Sequence, residues 1–346
     1  MGIWYATRED VKSALDSQET ARNNAQIDRA LEAATAAIWG LTHRRFYPET
    51  GTRYFDWPTT FLGNPYRLWL DADEVISVSA IESGGVDLES ADYFLEPANS
   101  GPPHTHIDID LSGPGSFNSG RTHQRSIAVT GVFGYSAEEA AAGQLAEALD
   151  NSEVSVDVTD SAAIGVGTII RVDDERMVVQ GKLMLTTGQT LQGTLTQSNA
   201  DVTVPVTTGS EFGVGEVLLL NAEKMLIVDI AGNNLIVKRA WDGSVLAAHT
   251  NSTIYAPRTL LVERGALGTT AAAHSTATAI NRHVVPGLIR LLAIAEALSS
   301  IQQEGAAYGR VVGSGESARE ASGKGLGDLR AQAYASFGRK ARIRAI

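Results

Sequence analysis

The stretch VDDERMVVQG, residues 172–181, recurs in altered form as LNAEKMLIVD, residues 220–229. Each copy places an acidic residue, a base and a methionine before a run of branched aliphatic residues. At this offset of 48 residues, nine positions are identical. The matched residues are Val154, Val156, Val158, Thr159, Gly165, Val166, Gly167, Glu175 and Met177 with Val202, Val204, Val206, Thr207, Gly213, Val214, Gly215, Glu223 and Met225. Nine identities in one register indicate a duplicated structural unit.

A second repeat, further along the chain, has an offset of 25 residues. Its matched residues are Leu235, Val237, Arg239, Gly243, Ala247, Ala248, His249 and Thr253 with Leu260, Val262, Arg264, Gly268, Ala272, Ala273, His274 and Thr278. Nesting explains both offsets: one unit, residues 201–256, interrupts another whose halves are residues 154–181 and 258–280. Alternating strands such as VSVDV and VTVPV need a second layer over their apolar face. The sequence therefore predicts two similar small β-units, one inside the other.

Helical periodicity marks both ends of the chain. Thr7, followed by Glu9 and Asp10, has the pattern of a helix N-cap with acids in the first turn. An apolar stripe follows at spacings of four and three residues, and a proline-started, leucine-rich stripe returns near the C-terminus. The predicted helices lie within residues 7–46, 285–304 and 326–342.

The middle of the chain has a different character. Short runs rich in β-branched and aromatic residues predict strands over 52–135. A capping-box spacing before an alanine-rich run predicts a connecting helix over 136–150, and the Gly/Ser-rich residues 305–325 predict a flexible linker. The expected fold class is α+β: a helical core, a β-rich region and an inserted nested pair of β-units. The corresponding domains are residues 1–135 with 284–346, and an insertion at 136–283.

Composition narrows the function classes. The 346-residue chain, 43% hydrophobic and 20% charged, is in the ordinary globular range, and its lack of cysteine excludes disulfides and thiolate sites. A formal net charge of -12 disfavours a dedicated nucleic-acid binder, because lysine and arginine supply most of the affinity for phosphates. Residues 319–346 carry seven bases and two acids, so a basic tail follows an acidic body.

Hydropathy bears on the compartment. No run approaches the length of a membrane span, and the N-terminus lacks the features of a signal peptide. We therefore expect a soluble protein made without a signal peptide.

The repeat guides the interpretation of its own polar residues. Paired carboxylates perform acid–base chemistry when both face one cleft with shifted pKa values. Glu175 and Glu223 instead occupy equivalent places in separate units, each beside a base, so we predict that they support the fold. His249 and His274 recur in the same way. We predict that they close a loop in each unit rather than bind a metal ion.

The segment HTHIDID, residues 104–110, is the best metal candidate. As a strand it places two isoleucines on one face and four potential ligands on the other. These ligands are His104, His106, Asp108 and Asp110. A half-buried strand with a polar outer face has the same alternation, and we prefer this interpretation.

Other catalytic patterns are weak. A hydrolase that uses Asp71, Asp73, Asp108 or Asp110 is disfavoured, because no base or metal is evident beside them. The glycine-rich stretches lead into strands rather than helices, and no nucleophile elbow follows a strand. The sequence therefore assigns no catalytic residue, no metal and no cofactor.

The layout of both ends resembles a known family. Its patterns are TREDVKSAL…AQIDRALEAATAAIWGLTHRRFYP, a β-region ending VTGVFGY, then VPGLIRLLAIAEALS and LRAQAYASFGRKARIR. They resemble the head-to-tail adaptor, or connector, family of tailed bacteriophages, in particular the long forms from phages of actinobacteria. The resemblance covers residues 1–135 and 284–346. The repeat itself resembles a small β-module of phage structural proteins, with Trp241 replacing a smaller residue.

The resemblance implies a structural virion protein, not an enzyme. It implies a homo-oligomeric ring of twelve copies in the neck, between the portal and a tail-side neck or terminator protein. Genomic DNA would pass transiently through the ring during ejection, and an acidic body would repel the duplex rather than grip it. The subunit would be made in the host cytoplasm, with no membrane partner and no cofactor.

The basic C-terminus is the candidate portal-docking segment under this resemblance, with a merely solvated tail as the alternative. Its residues are Arg339, Lys340, Arg342, Ile343, Arg344 and Ile346. The competing function is a carbohydrate or host-surface binding module, which the tandem β-units and aromatic residues suggest. Trp241 has Ala266 as its counterpart, and this mismatch disfavours a repeated sugar site.

Overall fold

The structure is a computed structural model that describes residues 2–15, 24–58, 65–305, 311–312, 319–320 and 324–339. Its helices are α1 (Arg8–Ala14), α2 (Asn24–Thr42), α3 (Gly287–Gly305) and α4 (Lys324–Phe337). Strands β1 to β7 are Glu49–Phe55, Arg67–Trp69, Val75–Ser83, Val86–Leu88, Tyr93–Glu96, His106–Ile109 and Ile127–Phe133. Strands β8 to β14 are Glu139–Gln144, Ser155–Asp157, Ile169–Val172, Glu175–Thr190, Thr194–Leu195, Thr203–Pro205 and Val217–Leu220. Strands β15 to β21 are Glu223–Ala231, Asn234–Lys238, His249–Thr250, Thr253–Glu263, Ala279–His283, Val311–Val312 and Arg319–Glu320.

The predicted fold class, with its helical core, is wrong. Among the described residues, twenty-one strands accompany four α-helices, and ten of the strands join one antiparallel sheet. The molecule is therefore mostly β-sheet. An apolar stripe on a helix indicates which face is buried but not what covers it, so helical periodicity at both ends did not establish a helical core.

The chain divides into two compact units, residues 1–38 with 139–333 and residues 39–138 with 334–346. This division differs from the predicted domains. The predicted core of residues 1–135 with 284–346 is split between the units, and α1 and α3 belong to the same unit as the β-repeat.

In the first unit, the large sheet has the order β13-β16-β15-β14-β18-β11-β10-β19-β8, and β9 also pairs with β18. Its buried side chains form two separate cores. The first core comes from residues 142–179 and 260–280, which we name the first β-module. The second comes from residues 191–254, the second β-module. The long strands β11 and β18 connect the modules, because β11 leads out of the first and β18 returns to it.

Charged pairs fix the helices of this unit. Thr7 caps α1 as predicted, and its Oγ1 accepts from the backbone N of Asp10 at 3.0 Å. Arg290 on α3 donates to both oxygens of Asp10 at 2.5 and 3.0 Å. Arg8 donates to both oxygens of Asp28 on α2 at 2.6 and 2.8 Å. Two bidentate pairs therefore tie α1 to both longer helices.

The predicted helix over 136–150 is also wrong. Residues 139–144 form β8, which pairs antiparallel with β19 and places Glu139 opposite His283. Ala142, Leu145 and Leu149 are buried in the first module's core. Alanine favours a helix only weakly, and this burial together with sheet pairing outweighs the local preference.

The second unit contains two smaller sheets, of order β1-β7-β3-β4 and β2-β6-β5, whose buried side chains form one core. The end of α4 adds to it: the Phe337 ring lies against Phe46 and Tyr135, with centroids 5.6 and 5.5 Å apart. In the described part of the chain, no helix is long and apolar enough to cross a membrane.

Candidate functional site

A buried carboxylate, Glu223 at the start of β15, organises the second β-module. It accepts five hydrogen bonds. Arg239 donates from Nε and Nη2 at 2.7 and 2.8 Å, and His249 Nε2 lies 2.8 Å away. The backbone N–H groups of Ala240 and Ala247 add bonds of 3.0 Å each. The β15-β16 hairpin brings the arginine to the carboxylate, and the carboxylate then holds the following loop in place.

The first β-module repeats this cluster around Glu175. Arg264 donates to the carboxylate at 2.7 and 2.8 Å, and His274 Nε2 lies 2.9 Å away. The N–H groups of Gly265 and Ala272 complete five bonds at 2.8 and 3.0 Å. Both sequence offsets therefore meet in one place: the carboxylate follows the offset of 48, and its arginine and histidine follow the offset of 25.

The two clusters are poorly suited to acid–base catalysis. The side chains of Glu223, Arg239 and His249 are no more than 1% exposed. Burial raises the pKa of Glu175 and Glu223, but the hydrogen bonds from arginine, histidine and backbone N–H groups outweigh it and lower each pKa to about 2. A general acid or base needs a pKa near the working pH and reach to a substrate. The geometry supports the structural role predicted for these glutamates.

The histidines differ between the copies at their second nitrogen. His274 Nδ1 lies 2.7 Å from Asp173 Oδ2, whereas His249 Nδ1 lies 3.2 Å from the side-chain amide of Asn221. In both modules the ring bridges the buried glutamate and the turn before its strand. Each histidine therefore closes its module.

The strand predicted as a metal candidate is β6. Ile107 and Ile109 are buried, and His106 and Asp108 lie on the other face. Asp108 accepts from Arg67 at 2.6 and 2.8 Å. Within the described ranges, no group of three or more His, Asp or Glu side chains is placed to hold a metal ion.

The other acids considered for hydrolysis have separate partners. Asp110 accepts from the hydroxyl and the backbone N of Ser112, which lowers its pKa. Asp73 lies 3.4 Å from Arg53. The structure therefore does not assemble these aspartates into one centre.

An aromatic face on the sheet β2-β6-β5 was not anticipated from the sequence. Trp69 is 37% exposed and Phe94 is 52% exposed. The His106 ring lies 4.4 Å from the Trp69 ring, and the Arg67 guanidinium lies 5.5 Å from its centroid. The alternation in β2 and β5 could have indicated this face, because both strands place aromatic residues opposite buried leucines.

The candidate docking tail begins at a residue with partners in its own unit. Arg339 N donates to Thr42 O at 3.1 Å, and its Nη2 lies 3.2 Å from Glu74 Oε1. Arg44 contacts the same Glu74 oxygen at 3.1 Å. The remaining candidates lie outside the described residues: Lys340, Arg342, Ile343, Arg344 and Ile346. Comparisons with protein-family models, curated proteins and solved structures give no match to this chain.

Proposed function

We propose that this chain is a structural, non-enzymatic protein of a tailed-phage virion, which acts as a head-to-tail adaptor. One observation carries the structural part of the proposal. The acids, bases and histidines that recur in the repeat are spent twice on the same buried cluster, around Glu175 and Glu223. Such clusters hold a shape, and a chain that duplicates them invests in scaffold.

The adaptor role rests on the sequence resemblance at both chain ends. In this role, twelve copies form a ring between the portal and a tail-side neck or terminator protein, and genomic DNA passes through it. The net charge of -12 is compatible with passage, because an acidic wall repels the phosphate backbone. The basic residues after Arg339 supply the portal contact.

Electron microscopy of the purified protein, alone and mixed with the portal protein of the same genome, tests the proposal. We expect additional ring-shaped density on one end of the portal, with one adaptor subunit for each portal subunit. A portal that remains bare at high adaptor concentration, with both proteins folded, would contradict the adaptor role.

The aromatic face of β2-β6-β5 favours a second candidate, a carbohydrate or host-surface binding module. Exposed Trp69 and Phe94 lie beside the paired Arg67 and Asp108, a combination of aromatic and hydrogen-bonding groups that binding surfaces use. A glycan array separates the two functions. Binding that is lost in Trp69→Ala supports this second candidate, and an empty array leaves the adaptor role favoured.

A further inference from the structure

The sequence Gly-Val-Gly occurs at the same place in both β-modules, as residues 165–167 and 213–215. The two loops have the same backbone geometry. Gly167 and Gly215 both have φ +96°. Gly167 N donates to Val179 O at 2.8 Å, and Gly215 N donates to the equivalent carbonyl, Ile227 O, at 2.9 Å.

In the first module, the N-terminal segment of the chain covers this loop. Glu9 Oε2 accepts from Val166 N at 2.8 Å, and Arg8 N donates to Val166 O at 3.2 Å. The Trp4 ring lies over Gly167, so closely that a Cβ at Gly167 would come within 2.5 Å of it. Val166 is consequently only 1% exposed.

In the second module, the same loop is half covered. Ala162 packs against Gly213, since a Cβ at that glycine would lie 2.6 Å from the alanine Cβ. The other half is open: Val214 is 57% exposed. The nearest atom to a Cβ at Gly215 is the carbonyl oxygen of Ala162, 3.9 Å away, where the first module has a tryptophan ring.

We propose that Val214 and Gly215 form a binding site for a segment of a partner protein with the chemistry of residues 4–9. An aromatic side chain would cover Gly215, and a carboxylate five residues later would accept from Val214 N. A backbone N–H of the bound segment would donate to Val214 O. The first module provides the template, because its identical loop binds this arrangement within the chain.

The number of sites identifies the partner as a different protein. Each chain has two Gly-Val-Gly loops but one N-terminal segment. If a second copy supplied its segment to Val214, its own first module would lose the same contacts, so the exchange would gain nothing. The covalently attached segment also has a high effective concentration at the first loop. Only a protein other than this chain can fill every second loop. The inference does not depend on the proposed function.

A labelled peptide with the sequence of residues 2–15 is the probe. Titrated with the full-length protein and followed by fluorescence anisotropy, it should bind at one peptide per chain. Peptides with Trp4→Ala or Glu9→Lys should bind at least about tenfold more weakly, because each removes one half of the recognition.

Val214→Glu should weaken peptide binding in the full-length protein by about tenfold or more, since the new carboxylate repels the peptide carboxylate. Val245→Glu is the matched control, because Val245 lies in the same module and is 77% exposed; it should leave binding unchanged. Circular dichroism checks that both variants fold, and Val214→Lys is a second variant.

Binding that is absent, or equal in the wild type and Val214→Glu, would overturn the proposal. A second copy is the other occupant to exclude. If sedimentation reveals self-association of the full-length chain that Val214→Glu removes, the site binds this chain itself and the inferred partner is wrong.

Discussion

At Glu223, a single carboxylate sets the geometry of an entire loop. Its two oxygens bind Arg239, His249 and two backbone N–H groups. Removing one member of such a group leaves the others buried without compensation, whereas the intact group owes much of its strength to geometry. The contribution of Glu223 therefore resides in its pairing more than in its charge alone.

Glu223→Gln should lower the free energy of unfolding by about 3–5 kcal/mol, because Arg239 would keep its buried charge without a counter-ion. Urea denaturation followed by circular dichroism measures the loss. Glu304→Gln is the control, since its pair with Arg29 is 45% and 64% exposed; it should cost about 1 kcal/mol or less. Equal losses in both variants would contradict the role of burial.

The pKa values near 2 for Glu175 and Glu223 predict acid sensitivity. A carboxylate whose folded pKa is depressed contributes stability that is fully present above its ordinary value of 4.5 and lost as pH falls toward 2. Denaturant midpoints measured between pH 6 and pH 2 should therefore fall steeply below about pH 4.5. A midpoint that stays constant down to pH 2.5 would show that these groups do not govern acid unfolding.

At the scale of elements, the duplicated loops provide a matched pair of substitutions. Gly167→Ala and Gly215→Ala place a side chain at the same positive φ, so both should carry a backbone cost of about 1 kcal/mol. Only Gly167→Ala also displaces the Trp4 ring, which should add about 1–3 kcal/mol. Comparing the two free energies of unfolding isolates the contact between the N-terminal segment and the first module. Equal losses would mean that Trp4 contributes little to stability.

The elements also separate what the sequence predicted from what it did not. The repeats identified the equivalence of Glu175 with Glu223, because identical residues recur in register. They could not identify Arg239 and Arg264 as partners, since that pairing requires two different offsets to meet in space. The contact between Glu9 and Val166 joins residues 157 positions apart, and no local pattern marks it.

For the whole molecule, periodicity located the helices but not their weight in the fold. The stripe around Leu31 is buried as expected, but it belongs to a unit dominated by the large sheet. The alanine-rich stretch at 139–144 joined that sheet because β19 offered an edge to pair with. Long-range pairing of this kind is fixed by the partner strand, which a local sequence window does not contain.

The last prediction concerns the basic tail of the assembled molecule. Arg339 binds Glu74 and Thr42 within its own unit, so truncation after Arg339 should leave the fold intact and remove only the residues proposed to contact the portal. Deleting residues 340–346 should abolish portal pull-down with an unchanged circular dichroism spectrum. Replacing Lys340, Arg342 and Arg344 with glutamine should weaken the pull-down, and the wild-type contact should weaken as salt rises, because screening shortens the reach of exposed charges. Undiminished capture by the truncated chain would place the portal contact elsewhere on the protein.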